Sequence, residues 1–213
     1  MLTIEIVSDI VCPWCFIGTR RLAAAIDLVR HERPGFQCRT QWRPFFLNPD
    51  TPPQGEPYLP FLVNKFGSRE AVEALFERVR AAGRPYGLDY AFEKIALRAN
   101  TLQAHRLLHW AQQRGPADAL VERLFVAQFQ RGEHVGDKQV LADSAAECGY
   151  DGNEVAAYLA GDAGEAEVRQ LEAAARAMGI QQVPTFILPG RRIIVGAEDP
   201  AVLAAGIRQA LAA

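Results

Sequence analysis

Apolar and polar residues alternate at the beginning of the chain. Over residues 2–7 the apolar positions follow a period of two, which predicts a β-strand of about six residues. Apolar residues at helical spacing come next and end before Pro34, and residues 36–43 predict a second strand. The helical positions are Leu22, Ile26 and Val29. Because strand, helix and strand follow each other so closely, the pattern indicates a βαβ unit.

The middle of the chain shows helical periodicity only. Five prolines crowd residues 49–60, which predicts a loop that leaves the first unit, because proline fixes φ and lacks a backbone donor. Four apolar stripes at helical spacing follow, and Asp137 is placed to cap the helix of the last one. The stripes lie at residues 72–79, 104–111, 120–125 and 141–148.

The last part of the chain returns to a mixed pattern. After helical spacing over residues 168–178, two short apolar runs at residues 183–188 and 192–195 predict strands, and Asp199-Pro200 begins a final helix. The chain is therefore predicted to be α/β, with one discontinuous domain that an all-helical domain interrupts. The predicted domain consists of residues 1–49 and 165–213, and the insertion of residues 50–164.

Charge and composition exclude several classes of protein. The net charge is -2, and the 23 basic residues form no block, so we expect neither nucleic acid nor membrane as a partner. The longest uncharged stretch, residues 177–190, is shorter than the roughly 18 residues that a membrane helix needs. The first residues lack the positive start and apolar run of a signal peptide. These features predict a cytoplasmic protein.

The sequence Cys12-Pro13-Trp14-Cys15 carries the clearest chemistry. It falls between the first strand and the first helix, where free N–H groups and the helix dipole favour a thiolate. Its spacing allows one thiol to attack a disulfide and the other to release the product, so we predict redox chemistry. A zinc site is the alternative, but the sequence offers no second pair of ligands beside the motif, and we predict no metal.

The other cysteines and the histidines favour simpler interpretations. Cys38 lies in a predicted strand and Cys148 at the end of an apolar stripe, so both are expected to be buried thiols without a redox role. His105 and His109 have a spacing that could bind a metal, but no third ligand is near, and we interpret them as ordinary polar or partly buried histidines.

A proline also begins the predicted strand at residues 183–188. Because Pro184 cannot donate to a sheet, it suits a strand start or an edge. It could equally be a cis proline that leaves the preceding backbone free to pair with a substrate strand. The residues alone leave both interpretations open.

Four blocks of sequence, in this order, resemble the DsbA-like thiol–disulfide oxidoreductases of the thioredoxin superfamily. More narrowly, the chain is similar to their FrnE-like branch, which is grouped with 2-hydroxychromene-2-carboxylate isomerases and kappa-class glutathione transferases. The blocks are SDIVCPWCFIG at residues 8–18, WRPFFLN at 42–48, NTLQAHRL at 100–107, and VPTF at 183–186 followed by Gly196-Ala197. They span nearly the whole chain.

The resemblance implies a thioredoxin fold with a helical insertion, and a role for each cysteine of the motif. Cys12 would be the nucleophile and Cys15 the resolving thiol. Ile6 stands where many relatives have a buried acid, which leaves Asp9 as the candidate for proton transfer. The isomerases generally have serine at the position of Cys12, which favours dithiol chemistry here.

The resemblance also implies a substrate groove beside the dithiol. Pro184 would be a cis proline facing the two thiols, with Val183 offering its backbone to the substrate. Asn48 and Glu198 would lie near a groove for glutathione or a peptide. Pro13 and Trp14 would form its floor, and we expect the insertion to pack over it as a lid.

The predicted function is therefore a cytosolic dithiol–disulfide oxidoreductase acting on protein or small-molecule disulfides. It would require no cofactor, with glutathione as an optional cosubstrate, and its oligomeric state is left open. One alternative is a glutathione-dependent isomerase or transferase of the kappa-like type, in which Cys12 only positions the cosubstrate. Another is a redox sensor or chaperone-like binder without catalysis.

Overall fold

A four-stranded sheet forms the centre of the α/β part in the computed structural model, which describes residues 1–212. The strand order is β2-β1-β5-β6, with β1 parallel to β2 and the other two pairs antiparallel. The strands are β1 (Leu2–Ser8), β2 (Cys38–Pro44), β5 (Thr185–Leu188) and β6 (Arg192–Val195). Helix α1 (Pro13–Glu32) connects β1 to β2 and packs against α9 (Pro200–Ala212). The predicted α/β class is confirmed.

The first strand follows its sequence pattern closely. Leu2, Ile4 and Ile6 are buried, whereas Thr3 and Glu5 between them are half-buried. The third predicted strand begins two residues late, at Thr185, the first residue that is paired with β1. The preceding Pro184 has no N–H to donate to the sheet, which explains the shift.

Six helices form most of the segment at residues 50–164. They are α2 (Tyr58–Phe66), α3 (Arg69–Gly83), α4 (Leu102–Gln112), α5 (Asp118–Val126), α6 (Lys138–Glu147) and α7 (Gly152–Ala160). Asp137 caps α6 as predicted, because its carboxylate accepts from the N–H groups of Gln139 and Val140. Helix α8 (Glu165–Ala177) follows and packs against β2 and α4.

Two features of this segment depart from a regular helical pattern. Two short strands, β3 (Glu56–Pro57) and β4 (Leu97–Arg98), pair as an antiparallel ribbon. Strands of two residues are too short to show an alternation of apolar and polar residues in the sequence. A π-helical turn, Ala127–Arg131, continues α5. Such turns widen a helix locally, and here the turn carries Phe129 toward α1.

The helical segment and the α/β part share one hydrophobic core. Phe16 of α1 stacks on Phe125 of α5 with ring centroids 5.0 Å apart, and Phe129 lies 6.5 Å from the same ring. Among residues 1–212, no helix is both long and apolar enough to cross a membrane.

Candidate active site

The dithiol motif lies at the junction between β1 and α1, as the sequence predicts. Cys12 is the N-cap residue of α1, with extended backbone angles, and Pro13 occupies the first helical position. The carbonyl of Cys12 accepts a hydrogen bond from the N–H of Cys15 at 3.0 Å. Cys12 therefore sits at the positive end of a 20-residue helix.

The two thiols differ in their surroundings. Cys12 is 4% exposed and Cys15 only 1%, so Cys12 is nearer to solvent by a small margin. Burial raises the pKa of the Cys15 thiol well above its ordinary value, and Cys12 beside it raises that pKa further. The neighbouring Ser8 hydroxyl and Asp9 backbone lower the pKa of Cys15 and only partly offset burial. Cys15 is consequently held as a neutral thiol.

The loop before β5 faces Cys12. The Val183–Pro184 peptide bond is cis, and Cys12 Sγ lies 3.7 Å from the carbonyl oxygen of Val183, to which it donates. The carbonyl of Pro184 accepts from the N–H of Gly196 at 2.7 Å, which ties this loop to the segment after β6. Cys12 thus comes together with the Val183–Pro184 peptide although more than 170 positions separate the two in sequence.

Close packing between α1 and the proline loop depends on a glycine. A Cβ added at Gly18 would lie 2.8 Å from Pro184 Cγ and 3.3 Å from Phe186 Cζ, and the proline ring cannot swing aside. Glycine at this position therefore lets Pro184 approach the helix that carries the dithiol.

Gly18→Ala is expected to destabilise the protein by about 1–3 kcal/mol, because overpacking outweighs the roughly 1 kcal/mol that alanine gains over glycine in a helix. The rate of disulfide reduction should fall with it, since Pro184 must move. Thermal unfolding and an insulin-reduction assay measure both effects. Gly35→Ala is the matched control, because a Cβ there meets no atom within 4 Å. A Gly18→Ala protein as stable as wild type would refute the argument.

The helical segment contacts the motif through Tyr90, a residue that the sequence patterns did not single out. Its hydroxyl donates to the Pro13 carbonyl at 2.7 Å, and burial raises its pKa, so it stays protonated. Arg78 of α3 places its guanidinium 5.7 Å from the centre of the Trp14 ring. Tyr90 lies between short irregular elements, where no periodicity could have indicated its role.

The contacts of Asn48 and Glu198 lie outside the dithiol motif itself. The Asn48 carbonyl accepts from the backbone N–H and the hydroxyl of Thr51, which closes a turn beyond β2. Glu198 is exposed, two residues after the glycine that bonds to Pro184. Their participation in a groove stays a prediction.

A buried acid–base pair lies behind the motif. Asp9 Oδ1 is 3.2 Å from His105 Nε2, and Asp9 Oδ2 accepts from the N–H of Leu47 at 2.8 Å. His105 is more buried than predicted, and its imidazole lies within hydrogen-bond distance of Asp9. Its partner is 96 residues away in sequence, so local spacing gave no signal. Within residues 1–212, no three His, Cys, Asp or Glu side chains form a group that could hold a metal ion.

The two remaining cysteines are less buried than predicted. Cys38 and Cys148 are both half-buried free thiols. Cys38 lies on β2, an edge strand, and Cys148 follows the last residue of α6, so neither is enclosed on all sides. Burial still raises the pKa of each thiol.

Comparison with known proteins gives consistent matches over the whole chain. The family model described as "DSBA-like thioredoxin domain" matches residues 3–208. The structure of a probable DsbA oxidoreductase from Streptomyces coelicolor is 32% identical, with a TM-score of 0.90 over 100% of this chain and 91% of that one.

Two further solved structures share the fold at lower identity. A 2-hydroxychromene-2-carboxylate isomerase is 16% identical, with a TM-score of 0.70 over 97% of this chain and 95% of that one. The cytosolic disulfide reductase DsbM from Pseudomonas aeruginosa, solved with GSH, is 18% identical, with a TM-score of 0.66 over 100% of both chains.

Proposed function

The chain belongs to the family of DsbA-like thioredoxin domains, and on that premise we propose that it is a dithiol–disulfide oxidoreductase acting through Cys12 and Cys15. The predicted thioredoxin fold and the resemblance to DsbA-like oxidoreductases, with isomerase and DsbM structures as neighbours, are confirmed. The roles of individual residues, the substrates and the compartment are part of the proposal.

One observation carries the proposal. Cys12 is at the N-terminus of α1, one turn from a second thiol, Cys15, that burial keeps protonated. This asymmetry separates the two tasks of thiol–disulfide exchange. The attacking sulfur needs thiolate character, whereas the resolving sulfur must stay protonated until the mixed disulfide has formed.

The exchange proceeds in two steps. The Cys12 thiolate attacks one sulfur of the substrate disulfide, forms a mixed disulfide and releases the other sulfur as a thiolate. Cys15 then loses its proton and attacks Cys12 Sγ, which forms the Cys12–Cys15 disulfide and expels the second substrate sulfur. The substrate gains two electrons and the enzyme loses two, so an external thiol must reduce the enzyme for another cycle.

The substrate would bind along the surface where Cys12 meets the proline loop. Val183 would pair its backbone with an extended chain, and Pro13, Trp14 and Pro184 would contact the residues beside the disulfide. Asn48 and Glu198 would contact the ends of the substrate. We expect protein or small-molecule disulfides as substrates, and we leave the oligomeric state of the enzyme open.

Glutathione is the reductant that fits best, although no cofactor is required for the exchange. DsbM, a structural neighbour described as a cytosolic disulfide reductase, was solved with this tripeptide. A cytoplasmic location accords with glutathione as the reductant, because the cytosol keeps thiols reduced.

A glutathione-dependent isomerase or transferase is the second candidate, favoured by the isomerase among the structural neighbours. In that reaction Cys12 would only position glutathione, and Cys15 would have no chemical role. The third candidate is a redox sensor or chaperone-like binder.

Reduction of insulin with glutathione as the electron donor tests the proposal. Wild-type protein should accelerate the reaction well above glutathione alone, and a Cys38→Ser/Cys148→Ser variant should match it, because neither thiol takes part. An absence of acceleration with any thiol donor would favour the sensor or binder. Full glutathione-dependent turnover by Cys15→Ser would favour the isomerase or transferase.

A further inference from the structure

The second exchange step requires a base, because Cys15 must lose its proton before it attacks. Its sulfur is almost completely buried, so solvent has little access to the proton. The only ionisable pair buried behind it, among the described residues, is Asp9 with His105. With Nε2 of His105 donating to the Asp9 carboxylate, Nδ1 is the imidazole nitrogen left to take up a proton.

Ser8 connects this pair to Cys15. The Ser8 hydroxyl is buried and its oxygen has no hydrogen-bond partner among the described residues, but it lies close enough to the Cys15 sulfur to lower the pKa of that thiol. A buried hydroxyl without a hydrogen-bond partner is unfavourable, so its presence at this position calls for an explanation.

A small cavity lies between Ser8 and His105. Its volume is about 20 Å³, and both residues line it. This is enough for one water molecule, and the polar groups that such a water needs are present on its wall. Hydroxyl, water and imidazole then form a continuous path for a proton.

We infer that His105, oriented by Asp9, accepts the proton of Cys15 through the Ser8 hydroxyl and a water molecule in this cavity. The inference rests on the proposed dithiol function and adds a histidine from the helical insertion to it. As Cys15 attacks Cys12 Sγ, its proton passes to Ser8, Ser8 passes one to the water, and the water passes one to Nδ1. The resulting imidazolium faces the Asp9 carboxylate and returns its proton to solvent between turnovers.

Few other charged groups face His105. Asp9 contacts it from the loop after β1, His109 lies one turn further along α4, and Arg43 of β2 lines the same cavity. Arg43 is already paired with Glu5 at 2.9 Å, so its charge is balanced. His109 is the rival proton acceptor, and the test must separate it from His105.

The two steps are resolved by reaction with 5,5′-dithiobis(2-nitrobenzoate), which releases one coloured thiolate at each step. The first release reports attack by Cys12 and the second reports attack by Cys15. For Ser8→Ala and His105→Gln we expect an unchanged first phase and a second phase slowed by at least about tenfold near neutral pH. The difference in second-phase rate between these variants and wild type should shrink as the pH rises, because hydroxide then removes the Cys15 proton directly.

Three variants control for structural effects. Ser8→Thr keeps a hydroxyl and should restore the second phase. Ser144→Ala removes another buried hydroxyl without a hydrogen-bond partner, far along the chain in α6, and should leave both phases unchanged. His109→Gln should also leave the second phase unchanged.

The outcomes separate this inference from the function on which it rests. If wild-type protein never releases the second thiolate, the dithiol function itself is wrong. If wild type releases both and Ser8→Ala has a normal second phase, the proton path is wrong, whether or not His105→Gln folds. If His109→Gln slows the second phase and His105→Gln does not, the acceptor has been misassigned.

Discussion

Cys15→Ser is expected to stop the reaction at the mixed disulfide between Cys12 and its substrate, whereas Cys12→Ser should lower the rate of disulfide reduction by about a thousandfold or more. In the proposed reaction Cys12 makes the first bond from the N-terminus of α1, so its loss leaves no attacking thiol. Serine at position 15 fits the same buried space but cannot displace a substrate sulfur. Mass spectrometry under non-reducing conditions should therefore find one covalent adduct, on Cys12, in Cys15→Ser protein exposed to glutathione disulfide.

Cys148→Ser is the matched control for this experiment. It removes a half-buried free thiol whose Sγ lies 3.7 Å from the Ala119 carbonyl, well separated in sequence from the motif. Its rate should equal that of wild type, and it should trap no adduct. An adduct that accumulates on Cys15 in the Cys12→Ser variant, with none in Cys15→Ser, would reverse the assigned roles.

Features that depend on nearby residues could be predicted from the sequence. Alternation at Leu2, Ile4 and Ile6 marks β1, and the position of Pro13 after Cys12 marks the start of α1. Asp137 is predictable as a helix cap for the same reason, because a cap needs only its own next three residues. The strand and helix order of the α/β part follows from such local signals.

Contacts between distant residues could not be predicted in this way. The hydrogen bond from Tyr90 to Pro13 spans 77 positions, and the pair of Asp9 with His105 spans 96. Each depends on how the helical segment docks against α1, which no local periodicity encodes. The partial exposure of Cys38 could not be predicted for a related reason, because the sequence does not reveal that β2 is an edge strand.

The aromatic contacts between α1 and the helical segment suggest that the two parts unfold together. Phe16 is buried completely and stacks on Phe125 with an interplanar angle of 9°, while Tyr90 meets it edge-on at 6.1 Å. Phe16 also follows Cys15 directly in the chain. A change in this ring therefore affects both the contacts of the helical segment with α1 and the first turn of α1 itself.

Phe16→Ala is expected to lower the free energy of unfolding by about 3–5 kcal/mol, because a large buried ring leaves a cavity that the surrounding core cannot fill. For a chain of this size the melting temperature should fall by roughly 6–20 °C. Phe66→Ala is the control, since Phe66 of α2 is 44% exposed and its loss should change stability by less than about 0.5 kcal/mol. Calorimetry should show a single transition for both variants. Two separate transitions in Phe16→Ala, with the lower one confined to the helical segment, would mean that this segment folds on its own.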